Sequence, residues 1–301
     1  MRIALAQINS HLGNFKKNSE TIVENIKRAK EKHCDLVVFP EMSLFGYRPS
    51  DLLERKSIVL AQLAEFKKIH KQVPSGIAVI LGLVTLNAKK NGRPLFNSAV
   101  LLERGRKPRF FNKELLPTYD VFDEYRHIEH GQVKDNLCTI GKKKALITIC
   151  EDIWAWDVPG YKNIYPTNPL AKIKKQKIDL IINISASPFS VKKEKLRHHI
   201  VKKTVAHFKA PLIYVNMVGA QDELIFDGGS FAMSAKGKLL AQSVRFGEDL
   251  NVVDLNKHEG GFRNQILNIV FIVFVRRFGV NFFSGFKFYF FTPKRNSLIS
   301  F

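Results

Sequence analysis

Ala145-Leu146-Ile147-Thr148-Ile149-Cys150-Glu151-Asp152 is a run of apolar and β-branched residues that stops abruptly at a thiol and two carboxylates. A short apolar run bounded by polar residues is the pattern of a strand buried on both faces. Similar runs lie at 2–8, 36–39, 77–85, 98–102, 180–184, 212–215 and 230–233. Helical patterns separate several of them. Ile22, Ile26 and Ala29 share one face of a helix that runs to about Lys32, and Leu63, Phe66 and Ile69 mark a second. Leu196, Ile200, Thr204 and Phe208, each four apart, mark a third. Strands alternating with helices predict an α/β layer architecture.

The ends of the strands carry the chemistry. Leu36-Val37-Val38-Phe39-Pro40 leads into Glu41, Arg109-Phe110-Phe111-Asn112 into Lys113, and the opening run into Cys150. A cysteine attacks as its thiolate and so needs a base, which a carboxylate can be. A lysine can hold the oxyanion formed when that thiolate adds to a carbonyl. Each residue taken singly has an ordinary structural reading; the three together point to acyl transfer.

Composition narrows the class. The chain has 301 residues, 45% hydrophobic and 25% charged, which excludes a disordered or collagen-like chain. Its formal charge of +21 favours acidic partners, nucleic acid or anionic lipid, and leaves open a non-enzyme alternative, a basic protein that binds nucleic acid or a membrane surface. The lysine-rich runs at 142–144, 172–177 and 192–195 have few aromatic neighbours and read as solvated surface. No nucleic-acid or membrane partner is therefore expected. Three cysteines, with no Cys-x-x-Cys, argue against a disulfide scaffold or a cysteine zinc site. His198-His199 would point apart on a helix, so no metal is expected there. No phosphate-binding glycine loop is present. The N-terminus lacks the features of a signal peptide, and with the free thiols this predicts a cytoplasmic protein.

Three segments sharpen the reading: Phe39-Pro40-Glu41-Met42-Ser43-Leu44-Phe45-Gly46-Tyr47, Asn112-Lys113-Glu114-Leu115-Leu116-Pro117-Thr118-Tyr119 and Ile149-Cys150-Glu151-Asp152-Ile153-Trp154. They resemble the nitrilase superfamily of carbon–nitrogen hydrolases, and within it the glutaminase domain of glutamine-dependent NAD synthetase. Val121-Phe122-Asp123-Glu124, Asn183-Ile184-Ser185-Ala186-Ser187-Pro188-Phe189 and the stretch at 218–230 extend the resemblance over 1–265. It implies a nitrilase-like αββα sandwich that assembles as a homo-oligomer through its layers. It also implies hydrolysis of the glutamine side-chain amide, with Cys150 as nucleophile, Glu41 as general base and Lys113 stabilising the tetrahedral intermediate. Glu124 matches a second glutamate beside the lysine. Tyr119, Ser187 and Lys193, the last with Lys192 next to it, match positions that hold glutamine, and Glu151 is placed with them at the substrate. The runner-up is a stand-alone amidase acting on another small amide.

No cofactor is implied for the glutaminase step. ATP and deamido-NAD belong to the synthetase domain or subunit that follows in full-length members of the family. Its Ser-Gly-Gly-x-Asp-Ser loop does not occur here. Residues 266–301 hold ten of the 24 Phe and no Asp or Glu. This short divergent C-terminal tail is expected not to be a domain, and to reflect truncation, a frame shift or a divergent end. Its longest predominantly apolar run, at 266–275 and including Asn268, is half the roughly 20 residues that a spanning helix needs.

Overall fold

The computed structural model describes residues 1–89, 91–173 and 177–256. The expectations for 266–301 lie outside the described residues. Two six-stranded sheets pack face to face. The first is built from β1 (Arg2–Gln7), β2 (Leu36–Val38), β3 (Ala78–Leu86), β4 (Leu95–Leu102), β5 (Arg109–Asn112) and the late strand β14 (Asp249–Asp254), in the order β14-β1-β2-β3-β4-β5. The second contains β6 (Leu137–Ile140), β7 (Lys143–Ile149), β8 (Leu180–Ser185), β9 (Leu212–Asn216), β12 (Phe231–Met233) and β13 (Leu239–Gln242), in the order β13-β12-β9-β8-β7-β6. A separate hairpin pairs β10 (Val218–Gln221) with β11 (Leu224–Asp227).

Side-chain alternation sorts each strand between two cores. Ile3, Leu5, Leu36, Val38 and Ile80 face Ile147, Ile149, Ile182, Ile184 and Val215 across the gap between the sheets. The residues between them, Ala4, Ala6, Val37, Val79 and Leu81, pack outward against two helices, α1 (Phe15–Glu31) and α2 (Lys56–Gln72). On the far side, Leu146, Ile181, Leu212 and Tyr214 pack against α3 (Lys193–Phe208). The result is an αββα sandwich. Each fully buried aliphatic side chain contributes about 1.5–3 kcal/mol relative to exposure, so the central strands hold the layers together.

The helices follow their sequence signals. Asn14 caps α1 by accepting from the Lys17 N–H at 3.3 Å, Arg28 and Lys30 lie in the last turn, and Ile22, Ile26 and Ala29 form the buried stripe. Along α3 the buried residues are Arg197, Ile200, Val201, Thr204 and Val205. Leu196 and Phe208 flank that stripe as partly buried residues, and a charged residue, Arg197, sits within it.

Topology brings the strand ends together. β1, β2 and β3 run parallel, as do β7, β8 and β9. Parallel strands deliver their C-terminal ends to one edge of each sheet, where ligands of open α/β sheets bind. Glu41 follows β2, Cys150 follows β7 and Ser187 follows β8. Lys113 follows β5, and its N–H donates to the Asn97 carbonyl of β4 at 2.9 Å.

Candidate active site

Glu41 is fully buried, and its carboxylate is held by three donors. Oε1 accepts from Lys113 Nζ at 2.8 Å and from Asn97 Nδ2 at 2.7 Å, while Oε2 accepts from the Ala186 N–H at 2.9 Å. The loop carrying Glu41 runs so close to β3 that no side chain fits between them. A Cβ on Gly82 would come within 2.6 Å of the Pro40 carbonyl oxygen and 2.7 Å of the Glu41 carbonyl carbon. Glycine is the residue for such a close approach.

Lys113, with 1% of its surface exposed, places one ammonium between two carboxylates. Nζ is 2.8 Å from Glu41 Oε1 and 2.8 and 2.9 Å from the two oxygens of Glu124. Burial by itself would drive the ammonium toward neutrality. Glu124 and Glu41 overcome that and hold its pKa well above the ordinary lysine value. Glu124 is itself buried and accepts from the Tyr47 hydroxyl at 2.9 Å. Its own pKa is raised, because desolvation outweighs the pull of Lys113.

Cys150 occupies a strained turn. It directly follows β7 at φ +43°, in the left-handed region that most side chains avoid, and starts a 3-10 turn over Cys150–Ile153. Its carbonyl accepts from Asn183 Nδ2 at 3.4 Å. Burial first, and the Glu41 carboxylate second, push the thiol pKa well above its ordinary value, with Lys113 opposing them. Both effects disfavour the thiolate, so attack by the sulfur calls for a base to take its proton.

A further carboxylate, Glu151, lies beside this cluster. Glu151 Oε1 accepts from the Tyr119 hydroxyl at 2.7 Å and from the Tyr165 hydroxyl at 2.9 Å. Burial and the glutamate charge push both phenols above their ordinary pKa, so both remain donors. The Lys193 ammonium sits 4.2 Å from the centre of the Trp154 ring, and burial lowers its pKa against the pull of Glu151 and Cys150. Lys192, Lys195, Lys142, Lys144, Lys172 and Lys177 are exposed, as the solvated reading of their runs requires, but Lys193 has turned inward. Ser187 is buried, and its hydroxyl accepts from Arg197 Nε at 3.3 Å. Arg197 also donates to the carbonyls of Ser187 and Pro188 and pairs with Asp227 at 2.8 Å.

Glu41, Lys113, Glu124 and Cys150 thus converge on one electrostatic centre, and Tyr119, Glu151 and Lys193 group beside Cys150. Ser187 is adjacent to Ala186, which holds Glu41. Four residues of the site were given no role from the sequence: Asn97, Tyr47, Tyr165 and Asp152, although Tyr47 and Asp152 lie within the quoted motifs. Asn97 and Tyr47 lie inside apolar stretches where a polar residue was the available clue. Among the described residues no group of three or more His, Cys, Asp or Glu could hold a metal ion, and no helix is long and apolar enough to cross a membrane.

Comparison with known proteins identifies the family. The carbon–nitrogen hydrolase family signature matches residues 2–262, and the chain belongs to that family. Within it, the chain is 40% identical over 268 residues to a glutamine-dependent NAD(+) synthetase of Synechocystis sp., covering 88% of this chain and 48% of that protein. The structure of glutamine-dependent NAD+ synthetase from Acinetobacter baumannii superposes with a TM-score of 0.71 at 31% identity, over 83% of this chain and 44% of that one. The chain spans about half the length of the NAD synthetases it matches. An amidase from Nesterenkonia sp. shares the fold at 21% identity and a TM-score of 0.70, over 90% of this chain and 96% of that one.

Proposed function

We propose that this chain hydrolyses the side-chain amide of glutamine, and that the ammonia released serves ATP-dependent NAD synthesis from deamido-NAD by a synthetase domain or subunit. The observation that carries the reading is the buried Lys113 ammonium, clamped between Glu41 and Glu124 and acting electrostatically on the Cys150 thiol. Glu41 takes the thiol proton as Cys150 Sγ adds to the amide carbon. Lys113 and a backbone N–H near Glu151 hold the oxyanion. The C–N bond breaks as the proton passes from Glu41 to the leaving nitrogen, which gives ammonia and a thioester. Water then adds to the thioester carbon and gives a proton to Glu41. Cys150 leaves as a thiol once that proton returns to sulfur, and glutamate departs. The step uses no cofactor; ATP and deamido-NAD enter only the reaction that consumes the ammonia.

The neighbouring groups favour an amino-acid amide over a plain aliphatic one. Glutamine carries an α-ammonium and an α-carboxylate, and a site that binds it needs a group of each sign. Glu151 supplies the negative group and Lys193 the positive one, with the Tyr119 and Ser187 positions completing the pocket. A specificity assay tests this reading directly. Glutamine is expected to exceed propionamide in kcat/KM by at least about 100-fold, the discrimination that left-over unpaired polar groups impose. Equal or reversed specificity would make the chain an amidase of another small amide.

A further inference from the structure

Asp152 is fully buried and lies two residues beyond Cys150, in the same 3-10 turn. Its carboxylate makes three hydrogen bonds, all to backbone N–H groups. Oδ2 accepts from Ile149 at 2.9 Å, within its own turn. Oδ1 accepts from Glu114 at 2.9 Å and from Leu115 at 3.0 Å, in a segment of the other sheet's last strand end. The Ile149 contact is an ordinary local cap. The other two are not local, and they grip the two residues that directly follow Lys113.

We propose that Asp152 is a positioning residue, tying the turn that carries the Cys150 thiol to the segment that carries the Lys113 ammonium. The inference rests on the roles proposed for Cys150 and Lys113 and adds a third group that fixes their separation. Three features argue that the link is more than packing. First, both carboxylate oxygens are engaged, so the group fits only as an acceptor, and one carboxyl fixes both chain segments at once. Second, keeping it here is costly. Burial pushes its pKa up to about 7, against the opposing pull of the three N–H groups and Lys113. A neutral side chain would avoid that desolvation. Third, the link is direct and adjoins both Cys150 and Lys113, whereas the neighbouring connections run through Asn136, which bridges Asn112 and Ile147, and through the Tyr119–Glu151 bond.

The test reads the two functional groups rather than folding. Asp152→Asn is nearly isosteric but replaces one acceptor oxygen with an NH2 group facing a backbone N–H. In this variant kcat for glutamine is expected to fall about 100-fold, the loss for a misplacement of about 1 Å, with KM within a few-fold of wild type. The second readout is alkylation of Cys150 by iodoacetamide near neutral pH, followed by peptide mass spectrometry. If Lys113 moves away from the sulfur, the thiol pKa rises further, and a rise of one unit slows alkylation about tenfold. A purely structural role predicts the opposite, because a loosened turn exposes a thiol that is now buried and speeds its alkylation. Unchanged or faster alkylation overturns the proposal. The alkylation arm does not depend on the substrate, so wild-type protein inactive on glutamine would defeat the functional reading while leaving this one to be judged. Asp152→Ser is the second variant: one atom shorter, it keeps an acceptor for Ile149 but loses reach to Glu114 and Leu115. It is expected to show the same slowed alkylation. Failure of both variants to fold would make Asp152 a structural group and overturn the positioning role.

Discussion

Two buried carboxylates stand at neighbouring strand ends, and their partners differ in kind. Glu41 is held by an ammonium, an amide and a backbone N–H. Glu151 is held at one oxygen by two phenols. The first set includes a full positive charge, and with Glu124 it forms a closed ion cluster in which every group is fixed before substrate arrives. Preorganised charge of that kind serves a reacting centre, since it costs no reorganisation when the barrier is crossed. The second set of donors is neutral, and in the proposed function Glu151 meets the α-ammonium of the substrate. In the proposed mechanism the first carboxylate handles protons and the second selects what enters.

The largest effect expected from breaking the first cluster is at the sulfur. Cys150→Ala is expected to reduce glutamine hydrolysis to background while leaving the circular dichroism spectrum and melting temperature near wild type. Ammonia release close to the wild-type rate would remove Cys150 as the nucleophile. Next comes Lys113→Met, which deletes one oxyanion donor and is expected to cost at least about 100-fold in kcat. A loss of only a few-fold would show that Lys113 serves the fold and not the intermediate.

Glu124→Gln sharpens the comparison through pH. Glu124 is one of the two charges that raise the Lys113 pKa against burial. Removing it lowers that pKa, so the ammonium is lost at lower pH. The alkaline limb of the kcat profile is expected to move to lower pH, because the remaining Glu41 charge opposes burial alone. An unmoved limb would separate Glu124 from Lys113 function. The smallest effect belongs to the second carboxylate. Tyr165→Phe removes one of two neutral donors to Glu151, leaves Tyr119 in place, and is expected to raise KM for glutamine by about three- to tenfold with kcat little changed, within the range of one hydrogen bond. A fall in kcat without a change in KM would place Glu151 in the chemistry instead.

The central strands and all three helices were legible in the sequence because their buried faces impose a period. β6, β10, β11, β13 and β14 were not. β14 has only Leu250 and Val253 buried, and all four residues of β13 are half-exposed, so neither presents a continuous apolar run. Their pairing comes from neighbours: β14 joins β1 antiparallel from Arg2↔Asp254 to Gln7↔Asp249, across nearly the whole described chain. The site divides in the same way. Glu41, Lys113 and Cys150 announce themselves as polar residues that end apolar runs, whereas Tyr165 lies in a stretch with neither periodicity nor motif, and only the turn after β7 brings it to Glu151.

Residue type and order by themselves determined the alternating layers, the thiol, carboxylate and ammonium at the strand ends, and hence the class of chemistry. Only the tertiary structure decided that Lys113 bridges two carboxylates, that Lys193 rather than Lys192 turns inward over Trp154, and that Asp152 joins the Cys150 turn to the segment after Lys113. The physical reason is range. A strand or helix records its environment in its own period, residue by residue. A hydrogen bond between groups 38 or 72 positions apart depends on how two sheets pack, and a local pattern does not encode that.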